Sequence, residues 1–105
     1  MQNAPDFPAY ALALSEVLIA RVKALGGSSR FVRRTLPGGR MLAGLRFELP
    51  GGRAFVFSSL PGGIHIWPGT GHDRPDIAPL MEIPAGSPAE AVETQAEKIL
   101  ARAGE

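Results

Sequence analysis

The chain has no cysteine, two histidines, one tryptophan and one tyrosine among its 105 residues. Without cysteine there is no disulfide framework, no thiolate metal site and no cysteine nucleophile. A reducing compartment fits that absence, and the cytoplasm is the expected location. Long apolar runs are missing too. The apolar stretch Tyr10–Ala20 contains Ser15 and Glu16, lacks a basic flank and is too short to span a bilayer. Neither a signal peptide nor a membrane helix is expected, and no membrane partner. Net charge is close to zero, at +1, while 45% apolar and 20% charged residues place the chain among globular proteins. At this length one domain, residues 1–105, can bury its own core.

Glycine and proline, by contrast, are plentiful and ordered. Leu-Pro-Gly-Gly occurs at Leu36–Gly39, Leu49–Gly52 and Leu60–Gly63. Proline presets φ for the first corner of a tight turn and glycine accepts the positive φ that follows, so each tetrad is a chain reversal. Strand-like runs between the tetrads make residues 30–67 an antiparallel meander. In the second tetrad, a three-residue Pro-Gly-Gly loop sets Leu49 against Arg53, Phe47 against Phe55 and Leu45 against Phe57. A two-residue loop there would turn one strand's apolar set outward. The three-residue form matches a type I turn followed by a left-handed glycine.

Carried through all three turns, that register sorts the side chains onto two faces. One holds Phe31, Met41, Ala43, Leu45, Phe47, Leu49, Phe55, Phe57 and Trp67, with Arg33 and Arg53 near its edges. The other interleaves arginines with aliphatics: Arg30, Val32, Arg34, Leu36, Arg40, Leu42, Gly44, Arg46, Glu48, Val56, Leu60, Ile64 and Ile66.

Helical patterns flank the meander. After a loose tail, residues 1–5, Asp6 can cap a helix over 8–25 whose stripe runs Tyr10, Leu14, Val17 or Leu18, Arg21 or Val22, and Leu25 before Gly26-Gly27 stops it. Residues 68–86 hold four prolines and three glycines and read as a long loop, with strand character only at Leu80–Ile83. Ser87-Pro88-Ala89-Glu90 then reads as a capping box opening a helix over 88–103, with Val92, Ala96, Ile99 or Leu100, and Ala103 on its buried stripe. The expected fold is a two-layer α+β sandwich. Its four-stranded meander, with a possible fifth strand, carries both terminal helices on one face.

This element order is similar to that of double-stranded RNA-binding domains, whose phosphate-contacting lysine cluster opens the second helix. The matching residues here, Ser87-Pro88-Ala89-Glu90, carry no cation. The likeness is one of element order and implies no activity.

Charge is distributed unevenly. Residues 21–53 hold eight basic side chains against the single acid Glu48, whereas residues 73–105 hold seven acids against Arg74, Lys98 and Arg102. Arginine supplies seven of the eight, and its planar fork suits carboxylate or phosphate. The candidate partner-binding face is therefore Arg30, Arg34, Arg40, Leu42, Arg46, Val56, Ile64 and Ile66. It lacks the aromatic platforms of single-stranded nucleic-acid readers. Arginines among aliphatics suit a protein partner or a second copy of the chain. Phosphate neutralisation on the same face makes a nucleic-acid module the alternative. A solvated face balanced by acidic helices is the plainest reading of all.

His65, His72, Asp73 and Asp76 are a weaker candidate set, for a metal ion or a His–Asp acid/base pair. An ordinary edge-of-core histidine beside Trp67 and routine turn residues at His72-Asp73 account for them better. Ser58-Ser59 lacks the Gly-Xaa-Ser-Xaa-Gly elbow, and the paired glycines match no phosphate-binding loop. No cofactor is expected. The reading that fits best is a small non-enzymatic interaction protein.

Overall fold

In a computed structural model, residues 7–35, 39, 41–60, 62–69, 79–85 and 90–104 are described, with backbone alone at 34–35, 41–42 and 60. The chain runs α1 (Phe7–Ala24), β1 (Ser28–Thr35), β2 (Met41–Glu48), β3 (Ala54–Leu60), β4 (Gly63–Pro68), β5 (Met81–Pro84) and α2 (Val92–Ala103). All five strands form one antiparallel sheet in the order β1-β2-β3-β4-β5. Five strands in place of three depart from the double-stranded RNA-binding order. The fifth falls where Leu80–Ile83 has strand character, inside the expected 68–86 loop.

Both helices lie on one sheet face. Leu14, Leu18 and Val22 of α1 and Ala96 and Ile99 of α2 are fully buried against Phe47, Phe55, Phe57, Ile64, Ile66 and Ile83. At its centre the cross-strand pair Phe47 and Phe55 stacks with ring centroids 4.8 Å apart. Gly26 and Gly27 end α1 as expected: the Gly27 amide donates to the Val22 carbonyl and Gly26 to Lys23, the paired bonds of a Schellman motif.

Two of the three turns keep the expected register. Thr35 pairs with Met41, Phe47 with Phe55 and Leu45 with Phe57. The Leu49 amide donates to the Arg53 carbonyl across Pro50-Gly51-Gly52. Gly51 and Gly52 both take positive φ, 92° and 86°, so the first corner there is type II rather than type I.

The third turn differs. Leu60 pairs directly with Gly63, leaving a two-residue loop, and every residue of β4 changes face relative to the expectation. Ile64 and Ile66 therefore belong to the core, both fully buried, and not to the outer face. Trp67 moves outward with His65. The energetic reason is plain: burying two isoleucines is worth roughly 3–6 kcal/mol and spares His65 from the apolar layer. Gly63 enables the slip. Its φ is +151°, and a Cβ there would lie 2.5 Å from the Ile83 carbonyl oxygen of β5.

The second helix also starts later than its sequence suggests. Residues 86–89, including Ser87 and Pro88, lie outside the described residues, but Glu90 and Ala91 are not helical and Ala91 holds the cap position with no side-chain bond. Tertiary contacts override the capping pattern: the Glu90 carbonyl accepts from the Tyr10 hydroxyl at 2.9 Å, and its carboxylate pairs with Lys98. The Asp6 cap and the 1–5 tail also fall outside the described residues.

Candidate functional site

Strand register builds the outer face in rows. One row runs Arg30, Arg46, Val56, Trp67 across β1 to β4. The next holds Val32 opposite Gly44, and then Ser58, His65 and Glu82 in direct succession across β3, β4 and β5. Arg34 and Leu42 are cross-strand partners one row further, with side chains outside the description. Arg40, His72, Asp73 and Asp76 lie outside the described residues altogether. Of the eight candidates for a partner-binding face, the structure brings Arg30, Arg46 and Val56 together and sends Ile64 and Ile66 to the opposite side.

The members of that row differ in their freedom. Val56 is buried, at 2% exposure, so it offers no contact surface. Arg46 is engaged: its Nη1 donates to the Gly69 carbonyl at 2.6 Å, and its Nε donates to Glu48 Oε2 at 3.3 Å. The Gly69 amide in turn donates to the Ala54 carbonyl, so Arg46 holds the exit of β4 against β2 and β3. Arg21 reaches Glu97 of α2 at 3.4 Å. Part of the basic segment is thus neutralised within the fold, while Arg30 and Arg33 stand exposed on β1.

Ser58, His65 and Glu82 form a constellation that the sequence spacing concealed, because it depends on the third turn's register. His65 Nε2 lies 3.9 Å from Glu82 Oε1, and the His65 and Trp67 rings meet edge-on with centroids 5.6 Å apart. Ser58 is fully buried, and neither its Oγ nor His65 Nδ1 nor Trp67 Nε1 has a hydrogen-bond partner among the described residues. Among the described residues the Ser–His bond that activates a nucleophile is not made, and Ser58 Oγ is buried. Among the described residues no group of three His, Cys, Asp or Glu side chains is placed to hold a metal ion. Nor, among them, is any helix long and apolar enough to cross a membrane.

The most exposed large apolar side chain among the described residues lies on β1. Phe31 shares the helix face, as its register requires, yet it is 68% exposed, because β1 is the sheet's end strand and α1 leaves it uncovered. Leu12 of α1 is 61% exposed beside it, and the two line a groove of about 320 Å³ with Ala43, Leu45 and Ser59. Alternation alone assigns Phe31 to the core. Its membership of an end strand, with Ser29 and Arg33 as same-face neighbours, was the signal that it is not buried.

These features define a class, the two-layer α+β sandwich with a sequential five-stranded meander. Compared with protein-family models, with curated proteins and with solved structures, the chain matches none.

Proposed function

We propose that this chain is a small non-enzymatic interaction protein that binds a protein partner through the β1–β2 end of its sheet. One observation carries the reading: a phenylalanine 68% exposed on an end strand, flanked by the exposed arginines Arg30 and Arg33. Aromatic and arginine side chains supply much of the binding energy at protein interfaces, and a large apolar ring left in water otherwise costs solubility. The outer face contributes at its β1 margin, through Arg30, while Arg46 and Val56 serve the fold.

The test is affinity capture from native extract with wild type, Phe31→Ser and Leu25→Ser chains. Leu25 is 57% exposed but lies beyond the end of α1, outside the β1 groove. Recovery of a stoichiometric protein that Phe31→Ser loses and Leu25→Ser keeps supports the reading; recovery indifferent to Phe31 overturns it.

A second reading draws on the basic segment 21–53, with its eight cations and one acid. It makes the same end of the sheet a phosphate-contacting surface. Titration with random duplex and single-stranded nucleic acid decides it, because phosphate contacts weaken steeply as salt rises. Absence of binding at low salt ends it.

A further inference from the structure

We propose that β1 is completed by an extended segment of a partner protein, added as a further strand whose core reads acidic, apolar, apolar, acidic. The proposal rests on the partner-binding reading above and names the partner's chemistry. Three observations converge on it.

The first is backbone geometry. β1 is eight residues long, lies at the end of the strand order and pairs with β2 without a bulge from Ser28–Glu48 to Thr35–Met41. Alternate residues of an end strand turn N–H and C=O outward, a template for strand addition. Proteins blunt such edges with proline, bulges, short strands or charge; β1 has no proline, no bulge and full length, so only its arginines guard it, and they turn away a basic strand while admitting an acidic one. The second is shape. Phe31 forms the β1 wall of the groove, and its ring, 68% exposed, is left for an apolar side chain of a strand laid along the outer edge of β1. The third is charge. Ser-Ser-Arg-Phe-Val-Arg-Arg-Thr holds three arginines and no acid. Two copies paired through β1 would gather both sets in one ribbon with no carboxylate on either strand, which like-charge repulsion disfavours.

Cross-strand pairing then dictates the pattern. Residues opposite Arg33, Val32, Phe31 and Arg30 want acid, apolar, apolar and acid in turn, a pattern that reads the same in either strand direction. Carboxylate against the arginine fork gives the geometric selectivity, and the apolar pair gives burial.

The experiment selects random twelve-residue peptides displayed on phage against the full chain and against R30E/R33E. These exposed positions leave the melting temperature unchanged, which is checked first. Wild type should enrich acidic-apolar-apolar-acidic peptides lacking proline, and R30E/R33E should enrich the basic counterpart. A selected peptide should shift the amide resonances of 28–35 in NMR spectra and slow their hydrogen exchange. Phe31→Ser should weaken it about tenfold or more, and methylating the peptide's backbone nitrogens should abolish binding at unchanged charge.

Enrichment of basic peptides, of helical three-and-four spacing, or of the same peptides on both chains overturns the proposal. So does a concentration-dependent dimer with β1 amides protected in the absence of peptide, or duplex DNA bound at Arg30 and Arg33 with no peptide enriched. Failure of the broader reading is separable. If capture still recovers a partner that needs Phe31 while no peptide is enriched, strand addition fails and the interface stands; if capture ignores Phe31, the interface itself fails.

Discussion

β1 and β3 are strands of one sheet, eight and seven residues long, and they live in opposite surroundings. In β3, Phe55 and Phe57 are buried on the helix face and Val56 and Ser58 on the outer face. In β1 every described side chain is exposed except the half-buried Val32. Apolar content does not explain the contrast, since Phe31 is as apolar as Phe55. Position does. β3 has a strand on each side and the helical layer over Phe55 and Phe57, whereas β1 ends the sheet with a strand on one side only, and Leu12 of α1 lies beside Phe31 without covering it. The interior strands carry the fold and the end strand is free to carry contacts.

Substitutions break or sharpen that contrast, beginning with the largest effect. Ile64→Ala and Ile66→Ala should each cost about 2–5 kcal/mol by urea denaturation, the range for large-to-small changes in a packed core. A loss under about 0.5 kcal/mol would return both residues to the outer face. Gly63→Ala should cost about 2 kcal/mol, because an L side chain resists this φ and its Cβ meets the β5 backbone. Unchanged stability would argue for a three-residue third turn.

Tyr10→Phe should cost about 1 kcal/mol through loss of the bond to the Glu90 carbonyl. It also carries a pH signature. Burial raises the Tyr10 hydroxyl above its ordinary value, a hydrogen bond from Gln95 acts the other way, and the Glu90 charge adds to the rise. An unfolded tyrosine ionises first as pH passes about 10. This contribution is therefore whole below that pH and is lost as pH climbs through the folded value. Thermal melts of wild type should fall more steeply there than those of the phenylalanine variant.

Ser58→Ala removes a buried hydroxyl without a partner among the described residues and should stabilise by up to about 1 kcal/mol. A marked loss would mean that the hydroxyl has a partner after all. The smallest effect belongs to β1: Arg33→Ala should alter stability by less than about 0.5 kcal/mol. A larger drop would show that the end strand, too, serves the fold.

Much of the architecture was legible because turn chemistry and alternation are local. The Leu-Pro-Gly-Gly tetrads marked the reversals, and pairing Phe47 with Phe55 followed from keeping both phenylalanines inside. The third tetrad misled because identical residues close loops of different length. What decides there is the burial of Ile64 and Ile66, which the shorter loop achieves, and Gly63 permits it by letting the Ile83 carbonyl of β5 approach closely. The same error hid the Ser58, His65, Glu82 row and placed Ile64 and Ile66 in a binding face. Arg46 looked available for an anion because the Gly69 carbonyl that occupies it lies 23 residues away in sequence. Arg30 needed only the register of the first hairpin, and that was readable.

The strands follow one another in space in the order in which they are made, so each hairpin can close as its second strand leaves the ribosome. The apolar face of the finished meander is a different matter. Ala96 and Ile99 complete the layer over it, and Tyr10 at one end of the chain fastens to Glu90 near the other. During synthesis Phe47 and Phe55 have only α1 over them until residues 92–103 arrive. A pause in translation ahead of that segment leaves a sticky, nearly finished sheet, and there the nascent chain has most need of a chaperone.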